Sequence, residues 1–462
     1  MSKASYRIRK IMVGIVVAIV LTTTASFTTP ALAQEVTLTI IAASGWTPCE
    51  VGKKLTPEFT KYAEEKLGYP VKIVWDLVPF ANWYEKAAMA LASHSTQYDI
   101  IFSDSQWLGT FSYGKHIVKL NDFIEKDPEL KAIVEDFYQE HRDAYMSYPY
   151  GTPNYWGLPM EGDDLVLYVR SDLLNDSTER ANFKAKYGFD LPRTYEDFDA
   201  LDWFKFEKVL EFFTRPPDLY GTAMEYSKEY DFISDHVMAL FWSWGGDIIN
   251  WETYKVDGIM NSPQNVEALE YYKHLLKYQP LGAADYGIDQ CITAISQGKV
   301  FSTLTWAAVG FPIFDPKTSL VSDKVLVVKP PKGKVMRSYC IGGQPWVVSE
   351  YSQHKKEVFE FFKWWYSKEI QWKFAEMGGN PVIRKLIDSE EFKKLNPWNR
   401  AYVEMIPGAR DFWHLPCYAE MLLVQQEEWH NYVSGATPDA KTALDRTASR
   451  QEEILKDWEF LK

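Results

Sequence analysis

Residues 70–107, PVKIVWDLVPFANWYEKAAMALASHSTQYDIIFSDSQW, decide the fold class of this chain. The stretch begins with a β-rich run at residues 70–75, continues through a helical pattern at residues 82–93, and reaches a second apolar run, YDIIF, at residues 98–102. Strands that alternate with helices at this spacing are typical of a parallel sheet wrapped by helices. We therefore predict an α/β fold.

The same alternation extends upstream of this stretch. Residues 36–41 (VTLTII) predict a first strand, and residues 56–67 predict an amphipathic helix. In such sheets, ligands bind beyond the carboxyl ends of the strands. The residues that follow YDIIF include Asp104 and Trp107, a carboxylate and an aromatic ring. We predict both as ligand contacts, with a helix N-cap as the competing interpretation of Asp104.

The N-terminus has the three parts of a secretory signal. Four basic residues lie within residues 3–10, residues 11–21 are apolar and uncharged, and residues 31–33 (ALA) have the small residues that signal peptidase requires. We predict a signal peptide over residues 1–33 and a mature chain that starts at Gln34. The apolar run is too short to cross a bilayer core of about 30 Å. No cysteine adjoins the cleavage site, so we expect a free periplasmic protein with no membrane insertion after cleavage.

Composition narrows the function classes. The chain has a formal net charge of −13, which argues against nucleic acid and anionic membrane as partners. It also contains 18 Trp, 28 Tyr and 26 Phe, and Trp and Tyr cluster in segments that look like loops. Sugars have flat C–H faces that stack on aromatic rings, and hydroxyls that bond to planar polar groups. A cleft with both features has the chemical outline of a carbohydrate site.

The cysteines and the known catalytic motifs point to no particular chemistry. Cys49, Cys291, Cys340 and Cys417 are widely spaced and form no CxxC pair, so neither a zinc site nor a thioredoxin motif is indicated. Disulfides and buried free thiols both remain open. The sequence has no GxSxG, HExxH or P-loop motif. We predict no catalytic residue, metal or cofactor; the alternative is a secreted glycoside hydrolase, which needs only two suitably spaced carboxylates.

Further motifs follow in an order that is specific to one family. These are an apolar run ending in Arg-Ser-Asp-Leu at residues 165–173, Gly-Gly-Asp-Ile at residues 245–248, Gln-Gly-Lys-Val at residues 297–300 with Trp306 after it, and Gly-Gly-Asn-Pro-Val-Ile-Arg at residues 378–384. In this order they resemble the extracellular solute-binding proteins of ABC sugar importers, the family that includes maltose-binding protein. The resemblance covers essentially the whole mature chain. One departure is Thr303 or Leu304, where the family often has Met.

The resemblance implies a two-lobed fold, with each lobe a mainly parallel sheet flanked by helices. Lobe one is expected over residues 34–157 plus 343–395, and lobe two over residues 158–342 plus 396–462. The lobes would close about a hinge around a ligand in the central cleft. The implied function is capture of a sugar, oligosaccharide or polyol by a monomer, and its delivery to ABC permease subunits in the inner membrane.

The resemblance also suggests which side chains contact the ligand. It implies that Trp306 stacks on the sugar and that Asp163, at the first crossover between the lobes, supplies an acidic contact. Trp244 is preferred to Trp242 because it adjoins the Gly-Gly loop. Core packing is the competing interpretation of the rings, and a solvated hinge carboxylate that of Asp163. The remaining candidates are Gly343, Trp346, Arg384, Tyr230, Glu225, Trp413 and Tyr418.

A different ligand class is possible within the same fold, namely a phosphorylated polyol or a polyamine. A phosphate would favour basic side chains and helix N-termini at the cleft. Arg384 is the only base among the candidates, and its competing interpretation is an ion pair between the lobes. We therefore predict a neutral sugar or polyol.

Overall fold

The computed structural model describes residues 35–462, which form one compact unit. The predicted signal peptide lies outside the described residues. Nine strands within this part of the chain build two sheets. The strands are β1 Val36–Ala43, β2 Val71–Val78, β3 Ile100–Phe102, β4 Gly157–Pro159, β5 Leu165–Arg170, β6 Tyr220–Ala223, β7 Val300–Trp306, β8 Val325–Val328 and β9 Pro345–Val348.

The first sheet has the strand order β2-β1-β3-β9-β4. β1 pairs in parallel with β2 along its whole length and with β3 at Ile40 and Ile41. From Ile40 to Ala43 every residue of β1 is fully buried, as expected for a parallel strand that is covered on both faces. The carboxyl ends of β1 and β3 therefore lie side by side at one edge of this sheet.

The second sheet has the strand order β6-β7-β5-β8. β7 is parallel to β6 and antiparallel to β5, and all of its residues are buried. Its carboxyl end is Trp306, which lies opposite Leu165 at the start of β5.

One strand in each sheet runs against its neighbours. β9 is antiparallel to β3 and β4, and β5 is antiparallel to β7 and β8. Both strands follow a passage of the chain from one sheet to the other: β5 is the first strand after β4, and β9 is the first strand after β8. A chain that arrives at the carboxyl edge must run away from that edge. The two mainly parallel sheets that the resemblance implied are present. Each contains one reversed strand because the chain enters it from the other sheet.

Helices cover both sheets. Within residues 35–462 the α-helices are α1 Thr47–Leu55, α2 Pro57–Leu67, α3 Phe80–Ala92, α4 Ser105–Tyr113, α5 Asn121–Lys126, α6 Pro128–Glu135, α7 Gln139–Tyr145, α8 Ser171–Asn175, α9 Ser177–Tyr187, α10 Tyr195–Asp199, α11 Trp203–Phe213, α12 Phe232–Ser243, α13 Pro263–His274, α14 Ile288–Ser296, α15 Gly310–Phe314, α16 Lys355–Trp365, α17 Lys368–Glu376, α18 Arg384–Ile387, α19 Glu390–Leu395, α20 Asn399–Met405, α21 Tyr418–Val433 and α22 Ala440–Asp457. Short 3₁₀ turns occur at Leu275–Tyr278, Ala283–Asp285 and Ala307–Val309. No helix in residues 35–462 is long and apolar enough to cross a membrane.

The predicted elements near the N-terminus are confirmed, with shifted ends. The strands predicted at residues 36–41, 70–75 and 98–102 are β1, β2 and β3, and the helices predicted at residues 56–67 and 82–93 are α2 and α3. The sequence analysis did not identify α1, which begins with Thr47 and Pro48 immediately after a turn. Proline suits this first turn because its missing N–H has no partner there.

The four cysteines are all buried free thiols. This settles the choice that the sequence left open between disulfides and unpaired cysteines. Cys340 Sγ donates a hydrogen bond to Asp235 Oδ1 at 3.3 Å. Cys417 Sγ lies 3.9 Å from Met421 Sδ.

Candidate functional site

A small, mostly enclosed cavity lies where the carboxyl ends of strands from both sheets meet the second crossover. This crossover is the segment between β8 and β9, which returns the chain to the first sheet. Asp104 and Ser105 follow β3, Trp306 ends β7, and Gly343 and Gln344 directly precede β9. The free space is about 30 Å³, close to the volume that one water takes in the liquid. The lining residues are Trp46, Phe80, Asp104, Ser105, Tyr230, Asp231, Asp235, Ile288, Trp306, Ile341, Gly342, Gly343, Gln344, Asp411 and Phe412.

Three consecutive residues after β3 reach across this cavity to elements beyond the first sheet. Asp104 accepts a hydrogen bond from the Tyr230 hydroxyl. Ser105 Oγ donates to Asp411 Oδ1 at 2.9 Å, and the side-chain amide of Gln106 donates to Asp231 Oδ2 at 2.9 Å.

Asp104 has two roles in this arrangement. It is the N-cap of α4, where its side chain accepts from the backbone N–H of Gln106 at 3.4 Å. The same carboxylate lines the cavity and bonds to Tyr230. The N-cap interpretation of the sequence is thus right, and the cap places this carboxylate in the cavity wall.

Four carboxyl groups line the cavity: Asp104, Asp231, Asp235 and Asp411. Each residue is between 2% and 6% exposed. Burial raises the pKa of all four, and for Asp231, Asp235 and Asp411 the nearby carboxylates raise it further. None of the four forms an ion pair within residues 35–462, and no Lys, Arg or His lines the cavity.

Aromatic rings form much of the remaining wall. Phe80 packs edge-on against Trp46, with ring centroids 6.0 Å apart, and against Tyr230 at 5.1 Å. The Trp306 ring packs against the backbone of Gly342, where the Cβ of any larger residue would overlap it. Glycine at this position therefore lets the crossover approach the ring closely.

Two fully buried side-chain atoms of the lining have no hydrogen-bond partner among residues 35–462. They are Asp411 Oδ2 and Gln344 Oε1, both buried. The Gln344 amide nitrogen donates to Gly342 O at 2.9 Å. Gly343 N donates to the Tyr145 hydroxyl at 2.9 Å, which holds the crossover in place next to the cavity.

A second set of buried carboxylates lies behind the cavity wall. Glu161 Oε1 accepts from Trp46 Nε1 at 2.5 Å, so it fixes the orientation of a lining ring. Asp163 Oδ1 accepts from Ala308 N at 3.0 Å and from Asp164 N at 2.8 Å. Burial, which excludes water from both groups, raises the pKa of Glu161 and Asp163.

Of the twelve predicted contact residues, four line the cavity: Asp104, Tyr230, Trp306 and Gly343. Asp163 and Glu225 are fully buried behind them. Glu225 accepts from Thr305 Oγ1 at 2.8 Å and lies 3.8 Å from His236 Nε2.

Three predicted tryptophans pack away from the cavity. Trp107 contacts Trp83, with ring centroids 4.4 Å apart. Trp346 is fully buried against Trp75, Phe102, Phe361 and Trp365. Trp244 packs on Tyr271 and Phe204.

The other predicted residues also lie outside the lining. Arg384 begins α18 at the surface; its side chain is 57% exposed and pairs with Asp388 at 3.4 Å. Trp413 packs against Trp251 in a tilted arrangement, with ring centroids 3.7 Å apart. Tyr418 is buried against Phe412, which does line the cavity.

Several lining residues were missed by the sequence analysis. Trp46 follows the carboxyl end of β1, so the rule that selected Asp104 would also have selected it. Asp231 adjoins Tyr230, and Asp235 lies one helical turn beyond Asp231, so helical periodicity would have suggested both. Asp411 precedes Phe412 and Trp413 and follows no strand, so no local signal identifies it. No group of three or more His, Cys, Asp or Glu in residues 35–462 is arranged to hold a metal ion.

The sequence profile of the bacterial extracellular solute-binding protein family matches residues 50–372, more than half of the chain. The chain therefore belongs to this family, which confirms the resemblance drawn from its motifs.

Solved structures of such proteins share the fold over nearly the full length. An ABC transporter solute-binding protein of Agrobacterium radiobacter in complex with ribitol is 21% identical, with a TM-score of 0.74 over 92% of this chain and 99% of that one. Maltose-bound MalE3 of T. maritima is 19% identical, with a TM-score of 0.72 over 91% and 100%. The GacH receptor of Streptomyces glaucescens, solved unliganded and with acarbose, is 16% identical, with a TM-score of 0.72 over 92% and 99%. These similarities confirm the two-lobed periplasmic binding protein fold.

Proposed function

We propose that this protein is the secreted binding component of an ABC importer and that it captures a carbohydrate or polyol in the cavity between the two sheets. The observation that carries the proposal is the set of bonds from residues 104–106 to Tyr230, Asp231 and Asp411. A ligand at this place would contact both halves of the molecule and stabilise their closed arrangement. The relatives bound to ribitol, maltose and acarbose support the ligand class.

The size of the cavity requires movement for ligand entry. Its volume of about 30 Å³ is far below that of a sugar ring. The two halves must therefore separate to admit a ligand and close again around it, as a hinge at the two crossovers allows. The proposed lobes are residues 34–157 plus 343–395 and residues 158–342 plus 396–462.

The chemistry of the lining favours some ligands over others. Carboxylates accept hydrogen bonds from hydroxyls, and rings such as Trp306 and Phe412 can stack on C–H faces. A phosphorylated polyol would meet four carboxyl groups and no base in the described lining. We therefore propose a ligand without phosphate.

The remaining parts of the function follow from this role. The protein acts as a periplasmic monomer after cleavage of residues 1–33, carries out no chemistry on its ligand, and docks on a membrane permease. Energy for import comes from separate ATPase subunits.

Thermal unfolding of the mature protein against a panel of sugars, polyols and their phosphates tests the proposal. A ligand at 100 times its Kd should stabilise the protein by about 2.7 kcal/mol. Trp306→Ala should remove the shift, whereas Trp458→Ala, which changes a partly buried ring outside the cavity lining, should retain it. Recovery of the panel sugar as a converted product would contradict the binding role and favour a hydrolase. A shift with phosphorylated compounds alone would contradict the ligand class.

A further inference from the structure

The cavity brings together four acidic side chains for which the described lining supplies no basic partner. Asp104, Asp231, Asp235 and Asp411 line it, each at least nine-tenths buried. No Lys, Arg or His is part of the described lining. Buried carboxylates are ordinarily paired, because an isolated buried charge is strongly destabilising. The missing partner is therefore expected in the ligand.

The hydrogen-bonding capacity of the lining points in the same direction. Three donors of the lining are already in use: Trp46 Nε1, Ser105 Oγ and the Tyr230 hydroxyl each donate to a carboxylate of the protein. The lining side-chain atoms that are fully buried and have no partner in residues 35–462 are both acceptors, Asp411 Oδ2 and Gln344 Oε1. A neutral hydroxyl both donates and accepts, whereas an ammonium group donates three hydrogen bonds and accepts none. The free lining atoms match an ammonium group.

The aromatic wall adds a second feature of cation recognition. Trp46, Phe80, Trp306 and Phe412 line the same cavity as the carboxyl groups. Cations are attracted to the faces of aromatic rings, most strongly to Trp and most strongly where water is excluded. Carboxylates and rings around one enclosed space are the combination that binds an amine.

We propose that the ligand is a sugar or polyol that carries a protonated amine, and that its ammonium group is held by Asp231, Asp235 and Asp411. The proposal rests on the proposed function, because it names the ligand class of the same cavity. The hydroxyls of such a ligand would bond to the remaining lining, and its C–H face would stack on Trp306. Burial and repulsion from neighbouring carboxylates raise the pKa of these three carboxyl groups, and a bound cation would oppose both effects.

Matched pairs of ligands that differ in one amine test the proposal. The pairs are D-glucosamine and D-glucose, D-galactosamine and D-galactose, D-mannosamine and D-mannose, and glucamine and sorbitol. Titration calorimetry at pH about 6.5, below the α-amino range of about 7.7–8.0, keeps the amines charged. We expect at least one amine to bind 30-fold or more tightly than its neutral partner, and its N-acetyl derivative to lose that gain.

Variants that remove one charge without changing shape give a second readout. Asp235→Asn and Asp411→Asn keep an oxygen that can accept the bonds from Cys340 and Ser105. In each variant the ratio of amine to neutral affinity should fall at least tenfold. Asp323→Asn, an exposed position, is the matched control and should leave the ratio unchanged.

The possible outcomes separate the two proposals. Neutral sugars that bind as tightly as their amines would overturn the cationic ligand and leave the sugar-binding function intact. Binding of putrescine or spermidine, or stabilisation by Ca²⁺ or Mg²⁺ alone, with every sugar and amino sugar inactive, would overturn both. Absence of binding to the whole panel would also contradict both.

Discussion

Ser105 and Asp411 are 306 residues apart in the chain, and their side chains form a hydrogen bond of 2.9 Å. Ser105 is the first residue of α4, directly after the first sheet. Asp411 belongs to a segment that is joined to the second crossover, where Ile341 N donates to Arg410 O at 2.8 Å. The hydrogen bond between Ser105 and Asp411 therefore connects the end of β3, in the first sheet, to the segment that packs on the crossover from β8 to β9.

The first prediction concerns this bond. Ser105→Ala removes the hydroxyl and leaves Asp411 with the backbone of Phe412 as its donor. A typical hydrogen bond contributes about 0.5–1.5 kcal/mol, so the closed form should be destabilised and ligand affinity should fall by up to about tenfold. Calorimetry gives the affinity, and small-angle scattering of the unliganded variant should give a larger radius of gyration than that of the wild type.

Ser93→Ala is the matched control for the first prediction. Its hydroxyl bonds to Ala90 O on an exposed helix end, far from the cavity. Affinity and radius of gyration should both be unchanged in this variant. An equal loss in the two variants would show that the effect does not arise at the cavity.

The second prediction uses the close approach of Gly342 to Trp306. A methyl group at Gly342 would overlap the ring, and overpacking of this kind costs about 1–3 kcal/mol. Gly342→Ala should therefore lower the free energy of unfolding by about that amount and reduce ligand binding by displacing the ring. In the Trp306→Ala background the ring is gone, so Gly342→Ala should cost much less. Chemical denaturation of the four proteins measures this coupling; additive costs would contradict it.

The third prediction separates the charge of Asp163 from its hydrogen bonds. Asp163 Oδ1 accepts from Ala308 N and so fixes the segment that follows Trp306. Asp163→Asn keeps an acceptor and removes a buried charge, so stability and ligand affinity should be retained. Asp163→Ala leaves Ala308 N without its partner. This substitution should lower the free energy of unfolding by about 1–3 kcal/mol and should also weaken ligand binding. Equal effects of the two substitutions on thermal unfolding would contradict the positioning role.

These residues also show how far the sequence predicts the site. The order of strands and helices, the family motifs and the strand-end rule led to Asp104, Tyr230, Trp306 and Gly343, all of which line the cavity. Local pattern could not separate rings in the lining from rings in the core. Trp107 lies one turn along α4 from Asp104, and only the packing of Trp83 against it decides which way it faces.

The carboxylates of the cavity illustrate a second limit. Asp411 reaches it through a contact between segments that are far apart in the chain, and no periodicity encodes such a contact. A net charge of −13 is spread over the sequence and does not reveal that four carboxyl groups meet without a base. The charge of the ligand is therefore an inference from the structure, whereas the family is an inference from the sequence.

The fourth prediction concerns pH and the stability of the unliganded protein. Burial, and repulsion from Asp231 and Glu225, raise the pKa of Asp235 well above its usual value. A group whose pKa is raised on folding contributes stability fully below its unfolded pKa, about 3.9 for Asp, and this contribution is lost as the pH rises through the folded pKa. Asp235→Asn cannot ionise and escapes this loss. The other titratable groups that act on the Asp235 site are Asp104, Asp411, Tyr230, Tyr272, Tyr418 and Cys340.

The variant should therefore be more stable than the wild type, and the difference should grow as the pH rises above about 3.9, the unfolded pKa of Asp, until the folded-state carboxyl ionises, by about 1.4 kcal/mol for each unit of pKa shift. The comparison is needed because His414, whose pKa burial lowers to about 4, gives a pH dependence of the opposite sign that is common to both proteins. Denaturant unfolding across this range measures the difference. A stability difference that is constant with pH would contradict the titration of Asp235 in this range. A saturating amine ligand should abolish the stability advantage of the variant, because the bound cation stabilises the ionised carboxylate of the wild type.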